Sequence, residues 1–237
     1  MNLLSLDTST EFLSLAIQAG DTLFTHHQHV GNASSELILP QIQALLEEAN
    51  VKLSDLDGIA FGAGPGAFTG VRIACGVAQG LGFGANVPVV GINTLHAIAQ
   101  ASGAQKVIVC TDARMGEVYL AALEKVGEGW SEIIETQVTK PEAAPMLAAS
   151  AYDLSTCDLS TWLAAGSGWK VYDETLSVRF AVTKKLPNIT PTAEAILQLA
   201  TPIFINGLAK PAAEARPIYI RNRVALTSIE RAEGQRL

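Results

Sequence analysis

The sequence predicts a two-lobed α/β fold in which one β-β-β-α-β-α plan is used twice. Three observations carry that reading. Three short apolar or alternating runs open the chain and lead into an amphipathic helix. Three more such runs begin near residue 107, and the two series match in element order, not in residue identity, at a separation of about 105 residues. The chain has 237 residues, 49% hydrophobic and 16% charged, enough apolar surface for two cores of ordinary domain size. The expected division is a first lobe over 1–103 and a second over 104–237, with the extreme C-terminal segment packing back on the first.

Residues 2–6 (NLLSL), 12–18 (FLSLAIQ) and 22–28 (TLFTHHQ) are of strand length and are separated by DTST and AGD turns, which predicts a three-strand meander. In SSELILPQIQALLEEAN, Leu37, Ile38, Ile42, Leu45, Leu46 and Ala49 recur at helical spacing. They give a helix over 35–49, capped by Ser34 or Ser35, with Pro40 in the first turn where its missing N–H costs little. A buried strand (LDGIAF), a helix over 69–84, a strand (VPVVGI) and a helix from Thr94 to about Ala101 complete the lobe.

The second lobe restarts with VIVCT (107–111), a DARMGE turn, EVYLAAL (117–123), a strand near 131–138 and a helix in PEAAPMLAAS. WLAAG (162–166), the stretch GSGWKVYDE, a strand near 178–182 and a helix from Thr192 to Asn206 follow, the helix announced by Thr190 and Pro191 and stopped by Gly207. Duplicated α/β lobes around a cleft form the actin-like ATPase and sugar-kinase (ASKHA) arrangement, in which a hairpin turn from each lobe embraces a nucleotide's phosphates.

Composition excludes several classes. A net charge of −7 has the wrong sign for holding a phosphate backbone unaided. Mean hydropathy is +0.27, yet Gly, Pro, Asn or Gln break every apolar run before the ~18 residues that a spanning helix needs. MNLLSLDTSTEF lacks a basic leader region and places Asp7 where a signal peptide is apolar, so the expected compartment is the cytoplasm. Cys75, Cys110 and Cys157 are widely spaced and form no CxxC pair, which fits reduced core residues.

Chemistry-bearing candidates are few. Gly62-Ala63-Gly64-Pro65-Gly66-Ala67-Phe68-Thr69-Gly70-Val71-Arg72 joins a buried strand to a helix start. It reads either as an anion cradle or as a tight turn needed for packing, and it matches neither GxxxxGK[ST] nor GxGxxG. Asp7 and Thr8 lie in the first hairpin turn, as water-orienting groups or as ordinary turn residues. Asp112, Arg114 and Glu117 occupy the matching turn of the second lobe, as a local ion-pair set or a partner contact. Gly166-Ser167-Gly168 is a weaker turn signal, and His26, His27 and His29 on one strand lack a completing carboxylate pattern. No HExxH, GxSxG or Cys/His pairing supplies a nucleophile or a metal. Gly76, Gly80 and Gly84 stand four apart in the helix over 69–84 and weaken it by about 1 kcal/mol each, so something outside the helix must compensate. Packing on its own sheet and a subunit interface both satisfy that need. The interface reading places Leu39, Ile42, Leu46, Val71, Ala74, Cys75, Ala78 and Leu81 on the contact face.

The strings LLSLDTSTEFLSLAI, SSELILPQIQALL, GAGPGAFTGVRIACGVAQGLG, TDARMGEVY, AAGSGW and ARPIYIRNRVA, in this order, resemble the bacterial TsaB (YeaZ) family over essentially the whole chain. The resemblance implies the same two-lobed fold and a part in forming the threonylcarbamoyl group on adenosine 37 of tRNAs that read codons beginning with A. It implies a non-catalytic partner of the TsaD transferase, joined by a TsaE-like ATPase, self-associating when TsaD is absent and meeting tRNA only indirectly. No cofactor is then expected on this chain alone, with ATP or ADP and metal entering the complex through partners. TsaD-like proteins carry a metal-binding HxxxH helix, whereas Ser35–Asn50 here contains no histidine. Two departures from the family pattern are Ser34-Ser35 before the SELILP segment and Ala67 where GPGSFTG is usual. The rival class is an independent ATP-dependent kinase using Asp7 and the glycine turns; a metalloprotease finds no supporting residue.

Overall fold

The structure, a computed structural model, describes residues 1–147 and 161–221. Strands β1 (Asn2–Asp7), β2 (Phe12–Ala19) and β3 (Thr22–His29) form the antiparallel meander, and β4 (Gly58–Gly64) and β5 (Val89–Asn93) add in parallel, giving the order β3-β2-β1-β4-β5. The second sheet repeats the plan with β6 (Lys106–Arg114), β7 (Glu117–Val126), β8 (Gly129–Thr139), β9 (Leu163–Ala165) and β10 (Lys184–Leu186) in the order β10-β9-β6-β7-β8. Five strands of one connectivity, twice, establish the two-lobed actin-like α/β fold.

Alternation along the strands decides what covers each face. Leu4, Leu6, Leu15, Ile59 and Phe61 point to one side of the first sheet and meet α1 (Ser34–Glu48) and α2 (Phe68–Ala85). On the other side the small residues Ser5, Ser14 and Ala60 let a helix from the second half of the chain come close. This is α6 (Ala193–Ile205), whose first residue donates its N–H to Ser14 Oγ at 2.8 Å and accepts from Ser5 Oγ at 2.6 Å. Helix α3 (Thr94–Ala101) is exchanged in the opposite sense. It directs Leu95, Ile98 and Ala99 to Val107, Val109 and Leu123 of the second sheet, while Ala97 packs with Ile196 and Ala200 of α6. Helices α4 (Gly168–Val171) and α5 (Asp173–Phe180) cover the outer face of that sheet through Trp169, Leu176 and Phe180.

Four local expectations are corrected. The segment near 178–182 is not a strand: Leu176 and Phe180 are buried four residues apart, a helical repeat, and Asp173 and Glu174 favour a helix start. Pro141–Ala143 forms a 3₁₀ turn and residues 144–146 are irregular, because Pro141 and Pro145 withhold backbone donors; residues 148–150 of that predicted helix, and Cys157, lie outside the described residues. Helix α1 begins at Ser34 after Ala33 with no side-chain cap, so neither serine caps it. The division at residue 103 assigns α6 to the second lobe, yet it packs on the strands of the first sheet and on α3.

Candidate functional site

The glycine loop and the first hairpin turn close on each other. Thr8 Oγ1 donates to Gly70 O at 2.7 Å, Ala67 N donates to Ser9 O at 2.8 Å, and Thr94 Oγ1 donates to Pro65 O. A Cβ at Gly70 would overlap the Thr8 carbonyl oxygen, and one at Gly66 would stand 2.6 Å from Ser9 O. Glycine is therefore required at both positions by neighbouring backbone, which favours the structural over the anion-cradle reading. Gly64, with φ +102°, turns the chain out of β4, and Gly64–Pro65 is a cis peptide.

Asp7 is 1% exposed. Its Oδ1 accepts from Ser9 N at 3.0 Å and Ser9 Oγ at 2.9 Å, while Oδ2 is buried against Gly62 without a hydrogen bond. Burial pushes the carboxyl up to about 6, opposed by the two Ser9 bonds. Asp7 and Thr8 thus lie inside the turn. Arg72 is exposed but engaged with neighbours on the surface: its Nε donates to Tyr219 OH at 2.8 Å and its guanidinium stacks 3.3 Å from the centre of the Phe68 ring. Thr69 is exposed at the start of α2.

In the second turn, Arg114, Met115 and Gly116 all have positive φ, and Asp112 Oδ1 accepts from Arg114 N at 2.9 Å. Arg114 Nη1 lies 3.5 Å from Asp112, but Glu117 pairs elsewhere, with Arg221 at 2.5 Å. The local ion-pair reading therefore holds for Asp112 and Arg114 and fails for Glu117, whose partner lies over a hundred residues away in sequence. Gly166 and Gly168 press on the backbone and sulfur of Cys110, and Trp169 Nε1 donates to Ile108 O at 3.1 Å, so that turn too is packed on its own sheet.

Between the lobes, a groove of about 470 Å³ is lined by Ile92, Asn93, His96, Trp130, Leu199 and Ile218. Two of its polar groups reach across to β8: Asn93 Nδ2 donates to Thr136 Oγ1 at 3.0 Å, and His96 Nε2 is 2.7 Å from Glu132 Oε1. Burial opposes ionisation of Glu132, but bonds from His96 and Thr136 outweigh it and hold the carboxyl below its ordinary range. Of the strand histidines, His27 stacks on Phe12 at 4.8 Å and His29 lies 3.3 Å from Glu11. Among the described residues no group of three or more His, Cys, Asp or Glu is placed to hold a metal ion, and no helix is long and apolar enough to cross a membrane.

The outer face of the first lobe is different in kind. Five of the eight predicted contact residues, Ile42, Val71, Ala74, Cys75 and Ala78, are at most 7% exposed. They face their own sheet because α1 and α2 bury one apolar stripe each, so these five are core and not surface. Leu39 is 53% exposed, and Leu46 and Leu81 are half-buried. Beyond the exposed first turn of α2, its exposed residues are Gly76, Gly80 and Gly84, with Phe83 62% exposed beside them. A Cβ at any of these three glycines would meet nothing within 4 Å. The four-residue spacing is the signal that marks them in the sequence, whereas Phe83 carries none.

A family model described as TsaD, tRNA N6-adenosine threonylcarbamoyltransferase, matches residues 26–224. The chain is 35% identical over 230 residues to the tRNA threonylcarbamoyladenosine biosynthesis protein TsaB of Escherichia coli strain K12, spanning 95% of this chain and 96% of that one. It is 36% identical to the protein of the same name from Haemophilus influenzae, over 94% and 95% of the two chains. Among solved structures, YeaZ from Pseudomonas aeruginosa superposes with a TM-score of 0.82 at 36% identity, covering 92% of this chain and 99% of that one. A second Pseudomonas aeruginosa structure, described as an uncharacterized protein with similarity to peptidase YEAZ, gives 0.83 at 37%, covering 93% and 99%. Alike in sequence and backbone over nearly its whole length, the chain belongs to the TsaB (YeaZ) family.

Proposed function

We propose that this protein takes part in forming threonylcarbamoyladenosine at position 37 of tRNAs that read codons beginning with A, as a non-catalytic subunit that binds and supports a TsaD-like transferase. The name shared by its relatives supports the pathway. The observation that supports the mode of action is the open glycine face of α2. Three glycines that no intramolecular neighbour requires, each costing about 1 kcal/mol of helix stability, are accounted for by a partner helix whose backbone approaches closely. Leu39, Leu46, Leu81 and Phe83 supply apolar surface around that approach. A second copy of this chain occupies the same face when the transferase is absent. A TsaE-like ATPase completes the assembly; ATP or ADP and metal are brought by the partners, and tRNA is met only through them. The work is done in the cytoplasm.

The test is Gly80→Leu, which fills open space and leaves the lobe intact. Size-exclusion chromatography of the variant with the TsaD-like transferase of the same organism is expected to show affinity reduced tenfold or more, and reconstituted tRNA modification to fall with it. Unchanged affinity and modification would overturn the docking face. Turnover of Mg-ATP by the isolated wild-type chain would favour the independent kinase.

A further inference from the structure

After α6 the chain returns along the first lobe and then leaves it. Lys210 pairs with Val89 at the edge of the first sheet, Ala212 packs under α2, and Ile218 N donates to Ala63 O at 2.7 Å beside the glycine loop. Tyr219 receives the Arg72 hydrogen bond, its ring 6.4 Å from that of Phe68 on the first turn of α2. Two residues on, Arg221 belongs to the other lobe. Its Nη2 donates to Glu117 Oε2 at 2.5 Å and to Ala113 O at 3.1 Å, its Nη1 lies 3.7 Å from Met115 Sδ, and its side chain is 12% exposed. One short peptide thus holds the start of α2 at one end and the β6–β7 turn at the other.

We propose that residues 218–221 are a strap that couples the first turn of α2 to the β6–β7 turn, so that a contact made at either is felt at the other. The reach of the chain enforces this: residues 219 and 221 can stand no more than ~7 Å apart, so neither anchor moves far without dragging or releasing the other. The anchor in the second lobe is of the strong kind. A charge-assisted hydrogen bond is made by a largely buried guanidinium, whose loss leaves Glu117 and the Ala113 carbonyl without that donor. Asp112, Arg114 and Glu117 gain a role from this: they shape and hold the socket into which Arg221 is inserted. The coupling does not depend on the identity of any partner.

Physical coupling is established by non-additivity between sites that do not touch. The experiment is a double-mutant cycle of Arg72→Ala and Glu117→Gln in the full chain, read by amide hydrogen exchange. The reporters are Ile218 N–H, at the first-lobe end of the strap where it bonds Ala63 O, Val71 N–H in the first turn of α2, and Arg114 N–H in the β6–β7 turn. Each single substitution is expected to speed exchange at Ile218 by about fivefold or more and also at the reporter in the opposite lobe, and the double to fall short of the product of the singles. Effects confined to each substitution's own lobe, with a double equal to the product, would overturn the strap. Tyr219→Phe removes only the hydroxyl and serves in place of Arg72→Ala should that variant fail to fold, with the same two outcomes.

Discussion

Asp7 shows how a single buried group makes stability depend on pH. Its carboxyl ionises near 6 in the folded chain against an ordinary value of 3.8, with burial as the cause. A raised acid pKa means that the unfolded chain gives up this proton first. The group therefore contributes no penalty below about pH 4; a penalty grows through the interval to pH 6 and levels off above it at about 3 kcal/mol. Asp7→Asn removes that dependence. In urea melts at a series of pH values, the variant is expected to gain on wild type between pH 4 and 6 and to hold a constant lead above; a constant difference across the whole range would contradict it. At Gly70 the constraint is steric and independent of pH. Gly70→Ala drives a methyl into the Thr8 carbonyl and is expected to lower stability by about 3 kcal/mol, the upper end of overpacking costs, measured by the same melts. The sequence marks both positions as special but not their use. Whether a glycine faces a ligand or the backbone of a turn sixty residues away is a long-range fact, and the local string is the same in either case.

Among elements, α2 separates two kinds of glycine that look alike in the sequence. Gly70 and Gly82 are hemmed in by Thr8 and by Ala212 and Val89, while Gly76 and Gly80 face open space. Replacing Gly76 and Gly80 together by alanine is expected to stabilise the isolated chain by about 1–2 kcal/mol through helix propensity, seen as a higher urea midpoint. Loss of stability would mean that α2 needs those glycines for its own packing. Elements whose signals are local were legible: α3 runs over Thr94–Ala101 as expected because Asn93 caps it, accepting from Leu95 N at 2.9 Å. Five of the eight expected interface residues prove to be core, for a definite reason. Leu, Ile, Val and Ala at helical spacing identify a buried stripe, and a helix with a second apolar stripe for a partner shows the same residue types; only the sheet beneath tells which stripe is which. The strand expected near 178–182 failed similarly, since a short apolar stretch carries too few turns to fix its period.

At the scale of the molecule, the repeated order of strands was legible and the exchange of helices was not: α6 finds its sheet through contacts distant in sequence, and α3 lies between β5 of one sheet and β6 of the other, so its place in the chain does not decide between them. That exchange welds the lobes. Ile196 on α6 is fully buried in the layer between the two sheets, against the first, so Ile196→Ala is expected to cost about 3 kcal/mol. The three tryptophans, Trp130, Trp162 and Trp169, all lie in the second lobe. Their fluorescence transition in urea is expected to shift with the far-UV signal by the same amount; an unmoved tryptophan transition would mean that the lobes unfold independently.

The crossed helices also bear on where this chain can be divided. A cut in the short connection between Ala101 and Lys106 leaves an N-terminal piece whose α3 has lost the second sheet, and a C-terminal piece whose α6 has lost the first. Each half then displays as bare apolar surface what the other was built to cover. Produced separately they are expected to aggregate, and produced together to reassemble without a covalent link, so that this fold lends itself to a split reporter whose two fragments recognise each other by the helices they have traded.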